Sequence, residues 1–193
     1  MSGGRVARRA AVVLALALPA AGCGGSAQQG SGDRTSASDS RWTTYVDARH
    51  GFSVRYPRTW FRASERLTPQ LDDPREILSL GTYPLRTGGD RCAHFPVRAL
   101  EDLGPGDAFL SIQERLDPAT EHSGPRPERF VVSRAGASDG MFCVTGRRRH
   151  DHWVPFKDKG RAFYALYAVG GSASPQTHSD VERVLDSLSF DER

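Results

Sequence analysis

The segment Gly136-Ala137-Ser138-Asp139-Gly140 sets a serine between two glycines in the G-x-S-x-G spacing of a nucleophile elbow. That chemistry requires a strand before the serine and a helix after it, so that the hydroxyl stands exposed above a sheet. Here the following residues, Met141-Phe142-Cys143-Val144, have the composition of a strand, and no acid and histidine follow in the expected order. The segment therefore reads as a loop of turn formers between two strands. Hydrolysis by Ser138 is the secondary expectation.

His150-Asp151-His152 is the second candidate. Alternate residues of a strand share a face, so the two imidazoles form half a metal site. A catalytic zinc needs a third protein ligand, which distant residues such as His94, His122 or His178 would have to supply, and Arg147-Arg148-Arg149 just upstream repels a cation. No metal or other cofactor is expected. The arginine run suits an anionic ligand instead, although on a strand Arg147 and Arg149 face one way and Arg148 the other, with Asp151 and Asp158 near to balance them. Arg147, Arg149, His150, His152 and Trp153 are the candidate ligand-binding residues. Gly170-Gly171-Ser172, ahead of a helical pattern, offers backbone amides to a phosphate, but without a lysine or P-loop spacing. Trp42, Trp60, Phe61 and Phe156 are expected mainly in the core.

Cysteine chemistry is more informative. Residues 1–9 carry Arg5, Arg8 and Arg9 and no acid, Ala10–Leu18 is an apolar run, and small residues lead to Ala20-Ala21-Gly22-Cys23. A charged start, a short apolar run and small residues at a cleavage site make a secretory signal peptide. The run is too short to span a bilayer, which takes about 20 residues. The last four residues resemble the bacterial lipobox, with Ala20 where that motif prefers Leu. The resemblance implies cleavage before Cys23 and a diacylglyceryl group on its thiol; two acyl chains hold a protein stably on a membrane where one does not. An ordinary signal peptide cut near Ala21 would instead leave Cys23 as an exposed thiol, a reactive liability.

Export sets the context for the rest. Residues 1–22 contain three arginines and no acid, so the remainder balances 23 basic against 23 acidic residues and the formal +3 of the whole chain disappears. That leaves no basic footprint for nucleic acid. Residues 24–40 lack any large apolar side chain and read as a flexible tether, reaching on the order of 20 Å. The expected organisation is a signal peptide over 1–22, lipidated Cys23 with linker over 23–40, and one globular domain over 41–193. In an oxidising compartment the remaining pair, Cys92 and Cys143, is expected to bridge, closing a loop worth about 4 kcal/mol; two separate thiols are the alternative.

These side chains need elements to hold them. Trp42–Asp47 and Phe52–Tyr56 read as a hairpin with one apolar side per strand, Ile77–Tyr83 and Asp107–Glu114 as further strands, and Val97–Leu103 as a short helix. Arg129–Arg134, Met141–Trp153 and Arg161–Val169 are strand candidates, with Lys157–Gly160 as the turn before the last. Arg161–Val169 is apolar on both faces and is expected at the centre of a sheet. Ser174-Pro175 reads as an N-cap followed by Pro at the first helical position, and Val181, Val184, Leu185 and Leu188 follow at helical spacing. The expected class is α+β, an antiparallel sheet flanked by helices.

Tyr45…Gly51-Phe52-Ser53-Val54-Arg55-Tyr56-Pro57…Trp60, Gly160-Arg161 with the apolar strand after it, and Val184-Leu185-Asp186-Ser187-Leu188-Ser189-Phe190 resemble the PsbP/Mog1-like superfamily. The resemblance brackets residues 42–190 and implies an α/β/α sandwich, a largely non-catalytic binding or assembly role and no catalytic residues to carry over. The leading expectation is thus a non-enzymatic binding domain on the extracytoplasmic face of the cell membrane, its partner an envelope protein or small ligand. The alternative is a hydrolase using Ser138 or His150/His152.

Overall fold

Phe52, Val54 and Tyr56 alternate with Ser53 and Arg55, and the chain answers with a two-stranded hairpin. Strand β1 (Trp42–Asp47) pairs antiparallel with β2 (Phe52–Pro57) in the register Tyr45↔Val54 and Asp47↔Phe52. Phe52 and Val54 are buried. On β1 the packed side is Thr43, Tyr45 and Asp47, while Val46 stands in solvent at 67% exposure. The far edge of β2 pairs with the short β9 (Ser189–Phe190), completing a three-stranded sheet. The computed structural model describes residues 40–89, 92–117, 123–132 and 149–192, all within one compact unit, Arg34–Arg193. The signal peptide, Cys23, Ser138, Cys143, Arg147, Arg148 and His122 lie outside the described residues.

The larger sheet has the order β3-β4-β5-β8-β7-β6, built from β3 (Phe61–Arg62), β4 (Arg75–Gly81), β5 (Ala108–Arg115), β6 (Gly124–Pro125), β7 (Arg149–Asp158) and β8 (Arg161–Gly170). Every pairing is antiparallel except β6 with β7. Strand β8 lies between β5 and β7 with all its residues buried, the central position its double apolar face demands. The α+β class is as expected. A two-residue turn with positive φ at Lys159 (51°) and Gly160 (71°) joins β7 to β8, the twist that matches paired strands.

The two faces of this sheet carry separate cores. Leu110, Ile112, Phe163, Ala165 and Tyr167 pack with Trp42, Phe52 and Phe190 and with Val181, Val184 and Leu185 of helix α2 (Pro175–Asp186). Phe109, Tyr164, Leu166 and Ala168 pack with Val97, Ala99 and Leu100 of helix α1 (Val97–Asp102). Each fully buried aliphatic or aromatic side chain contributes about 1.5–3 kcal/mol. Helix α2 starts as its sequence demands: the Ser174 hydroxyl accepts the Thr177 amide at 3.1 Å, with Pro175 in the first turn. At its other end the Arg126 guanidinium donates to the carbonyls of Leu185, Asp186 and Leu188.

Several boundaries differ from expectation, each for a physical reason. Residues 129–132 are not a strand, although their alternation is real: Phe130 and Val132 are buried and Val131 is exposed. Their amides are taken by α2 carboxylates, Phe130 by Asp186 (2.9 Å) and Val132 by Glu182 (3.0 Å). Strand β7 continues past Trp153 to Asp158, with Pro155 opposite Tyr164. Strand β4 opens at Arg75 rather than Ile77, because Glu76 finds buried donors. Phe61 is not an apolar anchor; it is 45% exposed in the edge strand β3.

Candidate functional site

The four described members of the expected ligand cluster do not share a surface. Alternation along β7 puts His150 and His152 opposite Val169 and Tyr167, and Arg149 and Trp153 on the other face, opposite Gly170 and Leu166. Arg149 is not presented to a ligand: its side chain is 3% exposed and its Nε lies 2.6 Å from Asp151 Oδ1. His152 stacks on the Tyr167 ring at 4.6 Å, and His150 lies 6.3 Å from His178, ring centre to ring centre. His94 is on the opposite face, against Phe95, Trp153 and Tyr164. Burial, then the charge of Arg115, holds its pKa below the usual imidazole value. Among the described residues no group of three or more His, Cys, Asp or Glu is arranged to hold a metal. Among the described residues, too, no helix is long and apolar enough to cross a membrane.

The glycine segment before α2 offers no phosphate cradle from its outer amides. Gly170 donates to the Asp107 carbonyl and Ser172 to the Pro105 carbonyl, both at 2.8 Å. Gly170 is required by that approach, since a Cβ there would run into the backbone oxygens of Gly104 and Pro105. Cys92 is buried beside Phe95.

A cleft of about 470 Å³ lies elsewhere, between the β1–β2 turn and the β3–β4 edge of the large sheet. Tyr45, Asp47, Arg49 and His50 line one wall; Arg62, Arg66, Arg75, Glu76 and Ser79 line the other. Its acids are largely satisfied from within. Asp47 accepts the Tyr45 hydroxyl (3.2 Å), the His50 amide (2.9 Å) and His50 Nδ1 (3.0 Å). Burial raises the Asp47 carboxyl, but the hydrogen bonds from His50 and Tyr45 outweigh it and hold the group below the usual carboxylate range. Glu76, 3% exposed, accepts the Thr68 amide and hydroxyl (2.9 and 3.0 Å) and the Ser79 hydroxyl (2.6 Å).

The cations of the cleft are less committed. Arg66 donates to the carbonyls of Leu71 and Pro69. Arg62 lies with its guanidinium carbon 4.1 Å from the Tyr45 ring centre and makes only a long 3.4 Å contact to the carbonyl of Ala63. Arg75 gives one terminal nitrogen to Glu114 at 3.4 Å, while its buried Nε has no hydrogen-bond partner among the described residues. Arg49 is exposed and makes no hydrogen bond or ion pair among the described residues. In the sequence these are scattered arginines; the one signal that could have found the place is Asp47-Ala48-Arg49-His50, a turn with its own side-chain donor and acceptor. No family model, curated protein or solved structure matches the chain.

Proposed function

We propose that this chain is an exported lipoprotein that displays a non-enzymatic ligand-binding domain on the extracytoplasmic face of the cell membrane. Its signal peptide is residues 1–22, its lipid sits on Cys23, and residues 23–40 are the tether. The fold is of the PsbP/Mog1-like α/β/α kind, in keeping with the separate cores that α1 and α2 join on the two faces of the large sheet. Cys92 and Cys143 form the disulfide an oxidising compartment favours.

One observation carries the binding role: the polar cleft between the β1–β2 turn and β3–β4, within the size range of small-molecule sites. It has a preset interior of hydrogen-bonded carboxylates and arginines left with donors to spare. The ligand site is there rather than at Arg149, His150, His152 and Trp153. Two measurements test the reading. Feeding cells a clickable fatty acid should label the wild-type chain and not Cys23→Ser; label that survives the substitution refutes the anchor. A panel of small anionic, neutral and cationic compounds, followed by amide resonances of the full chain, should include one that moves residues 47–50 and 62–66 together. Silence at both walls across the panel refutes the site.

A further inference from the structure

We infer that the cleft takes a small oxyanion, carboxylate or phosphate, held by Arg49, Arg62 and Arg75. This rests on the cleft being the binding site and names the chemistry of its ligand.

Of the acids lining the cleft, Asp47 and Glu76 each accept three hydrogen bonds from neighbouring groups. Their lone pairs are therefore directed into the protein. Asp72 is 95% exposed and lies 4.0 Å from Arg66. Glu65 is the remaining carboxylate, exposed on the rim. The Ser79 hydroxyl is engaged by Glu76 and Ser111. A cationic or purely acceptor-seeking ligand would find little to bind.

The donors point the other way. Arg75 lines the cleft with its side chain 29% exposed, and Glu114 takes up only one of its terminal nitrogens among the described residues, so the guanidinium keeps donor capacity for a ligand oxygen. Its guanidinium is drawn at one end to Glu114, a 3.4 Å ion pair to a carboxylate that is itself 3% exposed on its side chain. Arg62 lies over the ring of Tyr45, whose hydroxyl is tied to Asp47. Both guanidiniums are thus oriented before any ligand arrives, which lowers the entropic cost of binding. Planar forks of this kind match the two oxygens of a carboxylate or phosphate. Arg49, on the opposite wall, adds charge without a competing partner.

Titration calorimetry and arginine Nε resonances of the full chain test this with inorganic phosphate and citrate as the two anionic arms. Glucose and choline serve as neutral and cationic arms. At least one anion is expected to bind and to shift the Nε resonances of Arg62 and Arg75, and which anion does so decides between phosphate and carboxylate. Arg62→Gln and Arg49→Gln, both at exposed positions, are each expected to weaken that binding by about tenfold or more, the value of one charge-assisted hydrogen bond. Arg75→Gln should do the same, and the two exposed variants keep the test intact if loss of the Glu114 partner unfolds it. Binding of glucose or choline at the cleft with neither anion bound overturns the oxyanion and leaves the binding site standing. Failure of all four to move any resonance of the cleft overturns the oxyanion with these probes, and the wider panel then decides the fate of the site. Anion affinity unchanged in Arg62→Gln and Arg49→Gln overturns the assignment of the arginines.

Discussion

Arg161 Nε donates to Glu114 Oε1 at 2.8 Å, with both side chains almost fully enclosed, at 4% and 3% exposure. The two residues lie on the adjacent strands β8 and β5, and neither is isolated. Arg161 also donates to the carbonyls of Gly51 and His50 at 2.8 and 2.7 Å, and its guanidinium lies near the rings of Phe163 and Phe190. Glu114 accepts in turn from Arg75. One buried pair thereby ties the β1–β2 turn, the centre of the large sheet and an arginine of the cleft.

Breaking that pair takes the 2.8 Å ion pair from the buried Glu114 and leaves it the longer contact from Arg75, which costs up to about 3–5 kcal/mol. Arg161→Met should therefore lower unfolding stability by that amount in urea titrations. A loss under about 1 kcal/mol, the level of an exposed pair, would show that the network contributes little.

His94 should make the domain acid-sensitive. Burial, then Arg115, depresses its pKa in the folded state, whereas the unfolded chain takes up a proton near pH 6.5. The unfolded state binds more protons below that pH, so stability is present above it and falls as pH drops through this window. In His94→Phe, which keeps a ring among Phe95, Trp153 and Tyr164, this component should vanish. Urea midpoints compared at neutral and mildly acidic pH will show it; parallel pH profiles for the two proteins would remove His94 as the cause.

Tyr167 has the opposite sign. Burial, then the charge of Glu182, pushes its phenol up to about 12, and its hydroxyl donates to the Val131 carbonyl at 3.1 Å. The neutral phenol stabilises the fold below the unfolded value near 10, and that stability is lost as pH rises from there toward about 12. Ultraviolet titration should find a tyrosine ionising near pH about 12, a step absent in Tyr167→Phe. The same variant should lose about 0.5–1.5 kcal/mol at neutral pH.

Gly170→Ala places a methyl against the carbonyl oxygens of Gly104 and Pro105. The strand end must shift, and overpacking of this kind costs about 1–3 kcal/mol. Thermal melts should show the loss, while Gly106→Ala, where a Cβ meets nothing within 4 Å, serves as the control. Equal melting temperatures for the two variants would contradict the close approach.

Much of the scaffold was legible because burial writes a period into the chain. Phe52, Val54 and Tyr56 marked β2, the doubly apolar run from Arg161 marked the central strand, and Ser174-Pro175 with Val181, Val184 and Leu185 marked α2. Periodicity misled at Phe130 and Val132, since the core they enter is the same whether their amides meet a strand or the carboxylates of α2. The cleft was hidden for another reason. Arg49, Arg62 and Arg75 are separated in sequence, and which arginines keep free donors depends on partners such as Glu114 and Tyr45 that only the fold brings near. Arg149 shows the converse, a residue conspicuous in sequence that is buried and held through its Nε by Asp151.

The short strand Ser189–Phe190 borders Phe52 and Ser53, which orders events in time. A chain delivered amino end first presents β1 and β2 early, as a lone hairpin of marginal stability. Its neighbour arrives only with residues 189–190, and Phe190 brings the ring that stacks on Phe163, 4.0 Å centre to centre. The small sheet is therefore completed only when the last strand of the sequence is in place.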